Sequence, residues 1–303
     1  MIEAAPGYRL SPCGPDDIEA CLDIFYEATE ELHTRTHQPL FPRNPQGLGK
    51  LFAHIIDTDP ERTWLAEAAD GGAIAFGLAH RRGSTWFLAF LFVRPAHQAR
   101  SVGRAVLDAC LAEDRTAATR LATCVESIQP VSAALYASYG MLPGMPLYGL
   151  TGTLDLARPL APAHQLTPEP LVERGADTDS IDVDVLGYPH QQDHAWLRGV
   201  GRHGHLFRDA SVGTAVGYGY VHPSGRIGPV AVRDERWLPE VIDHLAAAVP
   251  PPDAWLIFVP GRSPVFSPLM QRGLRIDGVP GIYCGTDDGP AFRRYLPANF
   301  AVL

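Results

Sequence analysis

The chain has 303 residues, of which 46% are hydrophobic and 19% charged, a composition that excludes a disordered polymer and suits two domains of about 150 residues each. Its formal net charge of −9 argues against a nucleic-acid partner, which calls for a basic face. The five cysteines are odd in number and show no C-x-x-C spacing, and Cys21 and Cys110 fall on apolar faces of predicted helices. They read as free thiols in a reducing cytoplasm. No apolar run reaches membrane-spanning length, and the opening MIEAAPGYRL lacks a basic segment followed by an apolar core, so a cytosolic protein is expected.

In chain order, a first helix is predicted from Pro15-Asp16-Asp17, with Ile18, Cys21, Leu22 and Phe25 at helical spacing. A loop rich in His, Pro and Asn follows at 33–44, then a second short helix at 48–56. Strands are predicted at 63–68, 73–81 and 86–93, separated by the turn signals Gly71-Gly72 and Gly83-Ser84. A helix at 102–112, a strand at 120–125 and a helix at 131–139 complete a first domain, 1–156. The fold class is α/β, an α+β mixed sheet with helices on both sides.

Residues 157–170, ARPLAPAHQLTPEP, read as a linker rich in Pro and Ala. Beyond it the pattern partly repeats. Ala75-Phe76-Gly77-Leu78 resembles Ala215-Val216-Gly217-Tyr218, and Val93-Arg94 resembles Val232-Arg233. Trp237, Val241, Ile242 and Leu245 then outline a helix. The expectation is two tandem domains of one fold, roughly 140 residues apart, each a mixed and mainly antiparallel sheet flanked by helices. The second domain would span 171–303.

The segment 91–111, LFVRPAHQARSVGRAVLDACL, carries the chemistry. A buried strand, a basic turn and an amphipathic helix in that order leave backbone N–H groups free at a helix start, where a phosphate ester can sit. The corresponding segment of the second half, RDERWLPEV, has no glycine, carries Asp234 and Glu235, and has Pro239 where its helix begins. If one half binds an anionic cofactor, it is the first.

VRPAHQARSVGRAVL resembles motif A of the GNAT superfamily of acetyl-CoA-dependent N-acetyltransferases, in which a bulged strand leads into Q/R-x-x-G-x-G/A and a helix. Gln98 takes the first position, Ser101 stands for the first glycine and Gly103 for the second. A second register, Arg100-x-x-Gly103-x-Ala105, also satisfies the pattern. QPVSAALYASYGM resembles motif B, with Gln129 where asparagine is common and Gly140-Met141 matching the Gly-Phe pair. The G-Y-x-Y and G-P-V strands at 217–220 and 228–230 resemble the C-terminal halves of tandem bacterial members that keep one intact cofactor site and one degenerate copy.

The resemblance implies acetyl-CoA as cosubstrate. Its pyrophosphate would lie on the backbone of Gln98, Ala99, Arg100, Ser101, Val102, Gly103, Arg104 and Ala105, with Arg100 and Arg104 adding positive charge. Its thioester arm would lie along Leu91, Phe92 and Val93. Serine keeps its N–H and adds a hydroxyl, so Ser101 suits the turn provided the backbone there does not need positive φ. Tyr136 matches the tyrosine that protonates the departing thiolate. The strand 86–93 offers no base; Glu126, just after the strand 120–125, and His80, at the end of the strand 73–81, are candidates acting through a water, and Glu31, His33 and His37 lie in the helix–loop region that usually forms the acceptor site in this family.

His190 and His194 have the spacing of helical metal ligands, with Asp193 nearby, and His203-x-His205 is a strand-like pair. Pro189 and Gly204 disturb that geometry, and no metal is expected. The expected partners are a small-molecule amine acceptor, with no nucleic acid and no membrane, and a homodimer stays open. The alternatives are a non-catalytic acyl-CoA sensor or scaffold, and a mycothiol-synthase-like acyltransferase.

Overall fold

The structure, a computed structural model, describes residues 7–160, 165–171 and 175–302. The start of the opening segment and part of the expected linker (161–164) lie outside them. The chain divides into two compact units, Met1–Cys124 with Ile128–Met141, and Val125–Ser127 with Leu142–Leu303. No helix among the described residues is long and apolar enough to cross a membrane.

The first unit comprises β1 (Tyr8–Pro12), α1 (Ile18–Arg35), α2 (Pro45–Thr58), β2 (Thr63–Ala68), β3 (Ala73–Arg82), β4 (Thr85–Val93), α3 (Val102–Leu111), β5 (Arg120–Glu126) and α4 (Pro130–Ala137). Residues 125–126 at the end of β5 group with the second unit. Strand β1, too short to announce itself by pattern, pairs antiparallel with β2. The strands β1 to β4 form an antiparallel meander, and β5 joins β4 in parallel. Helix α2 starts where Asn44 Oδ1 accepts the Gly47 N–H at 3.0 Å and Pro45 fixes the first turn. On one face Phe25 of α1 and Phe52 of α2 pack edge-on against Phe90 of β4, with Phe76 and Phe92 completing the cluster. On the other face α3 lies against Gly77, where an added Cβ would stand 2.7 Å from both Val106 Cγ1 and Cys110 Sγ.

The second unit holds β6 (Leu142–Gly152), β7 (Leu166–Pro170), α5 (Ala176–Val185), α6 (Gln191–Gly199), β8 (His203–Asp209), β9 (Ala215–Val221), β10 (Arg226–Val232), α7 (Leu238–Ala248), β11 (Trp255–Pro260), α8 (Phe266–Gln271), β12 (Arg275–Gly285) and β13 (Tyr295–Leu296). Its strands run β12-β6-β11-β10-β9-β8-β7, with β13 beside β10. The main stretch of the unit therefore begins at Leu142, ahead of the segment 157–170 that reads as a linker, because β6 pairs with both β11 and β12. Strand β7 forms inside the segment that reads as a linker. It is an edge strand, so Pro168 and Pro170 can remain in it with no ladder bond on their outer side. The core is apolar, with Trp237, Val241, Leu245, Trp255 and Ile257 all buried.

The strand registers of the two halves correspond, and they shift the alignment of the repeat. Val93 pairs with Ala75 and Val232 pairs with Gly217, so Ala75-Phe76-Gly77-Leu78 corresponds to Gly217-Tyr218-Gly219-Tyr220, two residues on from the match the sequence suggests. The helix contacts agree. Gly219 faces Leu245 and Val241 of α7 as Gly77 faces Cys110 and Val106 of α3. Both copies also bulge at one place, β4 at Ala89 and β10 at Gly228-Pro229.

Candidate functional site

Strand β4 is paired with β5 over four residues only, Thr85 to Leu88 against Arg120 to Thr123, where Thr123 Oγ1 also donates to the Leu88 carbonyl at 2.8 Å. The bulge at Ala89 follows at once, and β5 pairs no further with β4. Past the bulge β4 stays bonded to β3 on its other edge. The N–H of Arg94 donates to the Ile74 carbonyl at 2.8 Å, so by alternation Phe92 also bonds toward β3. Leu91 and Val93 then point their backbone groups to the open edge. Of the three strand residues expected to meet a cofactor, Leu91 and Val93 offer the free edge, whereas Phe92 contributes a side chain packed on Phe25 at 4.8 Å between centroids.

The turn after β4 is tied down from inside. Gln98 Nε2 donates to the Val93 carbonyl at 3.1 Å, and the N–H groups of His97 and Gln98 return to Arg94 and Pro95. Ala99 and Ser101 both adopt the left-handed region, at φ of 59° and 61°. The condition placed on Ser101 is therefore not met: the turn does need positive φ there, which costs a serine about 1 kcal/mol relative to glycine. The first helical bond of α3 runs from the Ala105 N–H to the Ser101 carbonyl at 3.1 Å. Ala99, Arg100, Ser101, Val102, Gly103 and Arg104 thus present a run of N–H groups with no acceptor among the described residues, at the positive end of α3. Gly103 is tight against the strand, with Val93 Cγ2 3.4 Å from where a Cβ would be. Arg100 is exposed, whereas Arg104 turns toward α4, donating to Ser138 Oγ at 3.3 Å and lying over the Tyr139 ring.

Tyr136 is buried in the last turn of α4. Gly140 at φ 83° ends that turn, and the Met141 N–H returns to the Tyr136 carbonyl at 3.1 Å. The neighbouring Tyr139 is committed elsewhere. Its hydroxyl donates to Asp108 Oδ1 at 2.8 Å, and its pKa is raised by burial and by that carboxylate. Glu126 is the half-buried last residue of β5, among the residues that group with the second unit. His80 is buried and stacked on Phe87, His33 bonds the Pro39 carbonyl, Glu31 pairs with Arg35, and His37 is exposed.

In the second unit the corresponding edge is closed. Strand β13 lies antiparallel on β10, pairing Leu296 with Val230 and Tyr295 with Ala231, and the Val232 N–H donates to the Arg294 carbonyl at 3.0 Å. The turn before α7 is filled too, since Asp234 Oδ1 accepts the Arg236 N–H at 3.0 Å. Neither the closing strand nor the bulge is visible in composition or periodicity.

The histidines of this unit separate into two groups. His190 and His194 converge on Asp182 of α5, a residue the sequence does not single out. His194 Nε2 is 3.0 Å from Asp182 Oδ2, His190 Nε2 is 3.3 Å from Oδ1, and the Tyr218 hydroxyl donates to Oδ1 at 2.7 Å. Tyr220 bonds His194 Nδ1 at 2.8 Å. These three residues offer ligand atoms within 4.8 Å of one another, and in this structure each is engaged in the hydrogen-bonded cluster. Asp193 lies 3.5 Å from His190 Nδ1, and His203 and His205 stand apart on β8.

The acetyltransferase (GNAT) family model matches residues 22–141, a span that contains the open edge, the turn and Tyr136. Residues 22–141 belong to the GNAT family. The fold of the chain recurs over its whole length in a protein of Pyrococcus horikoshii assigned as an acetyltransferase, with TM-score 0.77, 16% identity, and coverage of 100% of this chain and 98% of that one. A GCN5-related N-acetyltransferase of Sphaerobacter thermophilus aligns with TM-score 0.59 and 16% identity over 93% and 96% of the two chains. A tandem GNAT protein from the clavulanic acid biosynthesis pathway aligns with TM-score 0.56 and 17% identity over 93% and 99%. A comparison with curated proteins returns no match. At these identities the solved structures speak for the fold, a mixed sheet flanked by helices with two GNAT-like halves.

Proposed function

We propose that the first unit binds acetyl-CoA and that the protein is an N-acetyltransferase acting on a primary amine of a small molecule in the cytoplasm. The observation that carries the reading is the conjunction of an open β4 edge with a run of unpartnered N–H groups from Ala99 to Arg104, all within one unit. That run suits a pyrophosphate, with Arg100 free to add charge. The edge N–H and C=O of Leu91 suit an amide-bearing arm that adds itself as a strand. The fit is to the backbone of the turn, so Ser101 in place of glycine leaves the donors intact.

Bound acetyl-CoA supplies an activated acetyl thioester. The chain's residues then have three tasks. The β4 edge orients the acyl group and offers an N–H to the oxygen on which negative charge develops. Glu126, through a water, takes the proton of the amine as the C–N bond forms. Tyr136 gives its hydroxyl proton to the sulfur as the C–S bond breaks.

The closed β10 edge supports a single acyl-CoA site in the first half, and weighs against the mycothiol-synthase-like alternative, in which the second copy does the chemistry. Release of coenzyme A from acetyl-CoA across a panel of small amines tests the proposal. Amine-dependent release is expected. Binding of acetyl-CoA without release across the panel would leave a sensor or scaffold instead.

A further inference from the structure

At the end of the second sheet where β8 begins, β9 ends and β10 begins, two arginines are withdrawn from solvent without a counter-charge. Arg202, directly before β8, is 8% exposed, and one of its guanidinium N–H groups donates to the Gly228 carbonyl at the bulge. Arg226, the first residue of β10, is half-buried. Among the described residues neither has a carboxylate in ion-pair range. Burial depresses the pKa of both, and the like charge of Arg226 depresses Arg202 further, to about 9. Burial and then Arg202 lower the pKa of His222, next after β9; a hydrogen bond to the Val200 backbone opposes them, and Arg226 and His203 add to the lowering. Its Nε2 stands 3.7 Å from the Cβ position of Gly201, which brings it beside the Gly201-Arg202 peptide.

The first unit treats the same end of its sheet differently. Arg82 bonds Asp59 at 2.7 Å, Arg62 bonds Asp114 at 2.6 Å and Arg81 bonds Asp114 at 3.0 Å, so that two buried carboxylates answer three arginines. By strand register His222 takes the place of His80, and Arg226 that of Phe87. The second copy has exchanged a ring for a guanidinium at that point and supplies no acid. A guanidinium sheltered from water without an anion is costly, and two side by side are more so. None of their nitrogens is both sealed and unpartnered.

We propose that Arg202, Arg226 and His222 form an anion site on the second unit that takes the phosphate or carboxylate group of a small molecule. Two guanidinium forks suit either group, which accepts paired N–H bonds from each, while the His222 ring, held by Ser224 through Nδ1 and bonded to the Val200 backbone, lines the site beside them. The site is independent of the acetyl-transfer reading, because it shares no residue with the first unit.

Titration calorimetry of the full chain at constant ionic strength tests this, with inorganic phosphate and succinate as separate probes and excess coenzyme A present in a parallel series. One phosphate or one succinate per chain is expected to bind with or without coenzyme A, and the probe that binds names the chemistry. Arg226→Gln is expected to weaken that binding at least about tenfold by removing a charged fork. Arg202→Lys, which keeps the charge but loses the fork, is expected to weaken it as well. Absence of binding by both probes at millimolar concentration would overturn the site, as would wild-type affinity in both variants.

Discussion

The N–H of Val232 donates to the carbonyl of Arg294 at 3.0 Å, on the edge of β10 that corresponds to the open edge of β4 at Val93. One bond of this kind separates the two halves of the chain more sharply than any side chain does. A strand edge already bonded to β13 has no N–H or C=O left for a pantetheine amide, whereas the β4 edge keeps both at Leu91.

Ser101 holds a left-handed backbone at φ 61° without a Cβ-free residue to ease it. Ser101→Gly is expected to stabilise the first unit by up to about 1 kcal/mol, a rise of a few degrees in Tm, and to leave acetyl-CoA affinity equal or better. Ser101→Val, β-branched at positive φ, is expected to lower both. Differential scanning calorimetry with a cofactor titration checks the pair.

Removing the hydroxyl of Tyr136 takes away the proposed proton donor and little of its packing. Tyr136→Phe is expected to lower kcat by roughly 100-fold or more, with KM for acetyl-CoA within about threefold of the wild type. Steady-state kinetics decides it, and unchanged kcat would remove Tyr136 from the mechanism.

Helix α3 sits close to β3 because Gly77 has no side chain. Gly77→Ala places a methyl 2.7 Å from Val106 and Cys110, and neither can retreat within a packed helix face. A loss of about 1–3 kcal/mol is expected by urea denaturation, with weaker acetyl-CoA binding as the N-terminus of α3 shifts.

The Asp182–His190 pair makes stability depend on pH. Burial opposes the charge on each partner, yet His190 and His194 hold the Asp182 carboxyl well below the usual carboxylate range, and Asp182, with Asp193 behind it, raises His190 to about 10. A histidine raised in the folded state stabilises fully below its unfolded value of 6.5 and loses that contribution as pH climbs toward 10. The depressed carboxylate works in the opposite sense, and its contribution is present above about 3.9 and fades in acid. The urea midpoint is therefore expected to fall between pH 6.5 and 9.5. In His190→Phe, which costs about 3 kcal/mol at pH 6, that slope is expected to flatten.

Much of the first unit is legible in the sequence because its signals are local. Alternation marks β2 to β4, Gly103 and Gly140 punctuate the helices, and the turn residues at 98–105 fall in the strand–helix junction they suit. What stays hidden depends on partners distant in the chain. Strand β7 carries two prolines and is tolerated only because it lies at an edge. Strand β13 is two residues long and exists through its pairing with β10. Asp182 gains meaning only when α5 and α6 bring it to His190 and His194. The repeat is legible from its glycines, but Gly217 and Gly219 are two residues apart, and only the strand register shows which of them faces a helix as Gly77 does.

The stoichiometry of acetyl-CoA binding tests the central claim most directly, because the two halves share a fold and differ in whether the strand edge is open. Titration calorimetry of the full chain is expected to give one acetyl-CoA per chain with a dissociation constant in the micromolar range, about −8 kcal/mol. Binding of two molecules per chain, or of none at millimolar concentration, would contradict the account.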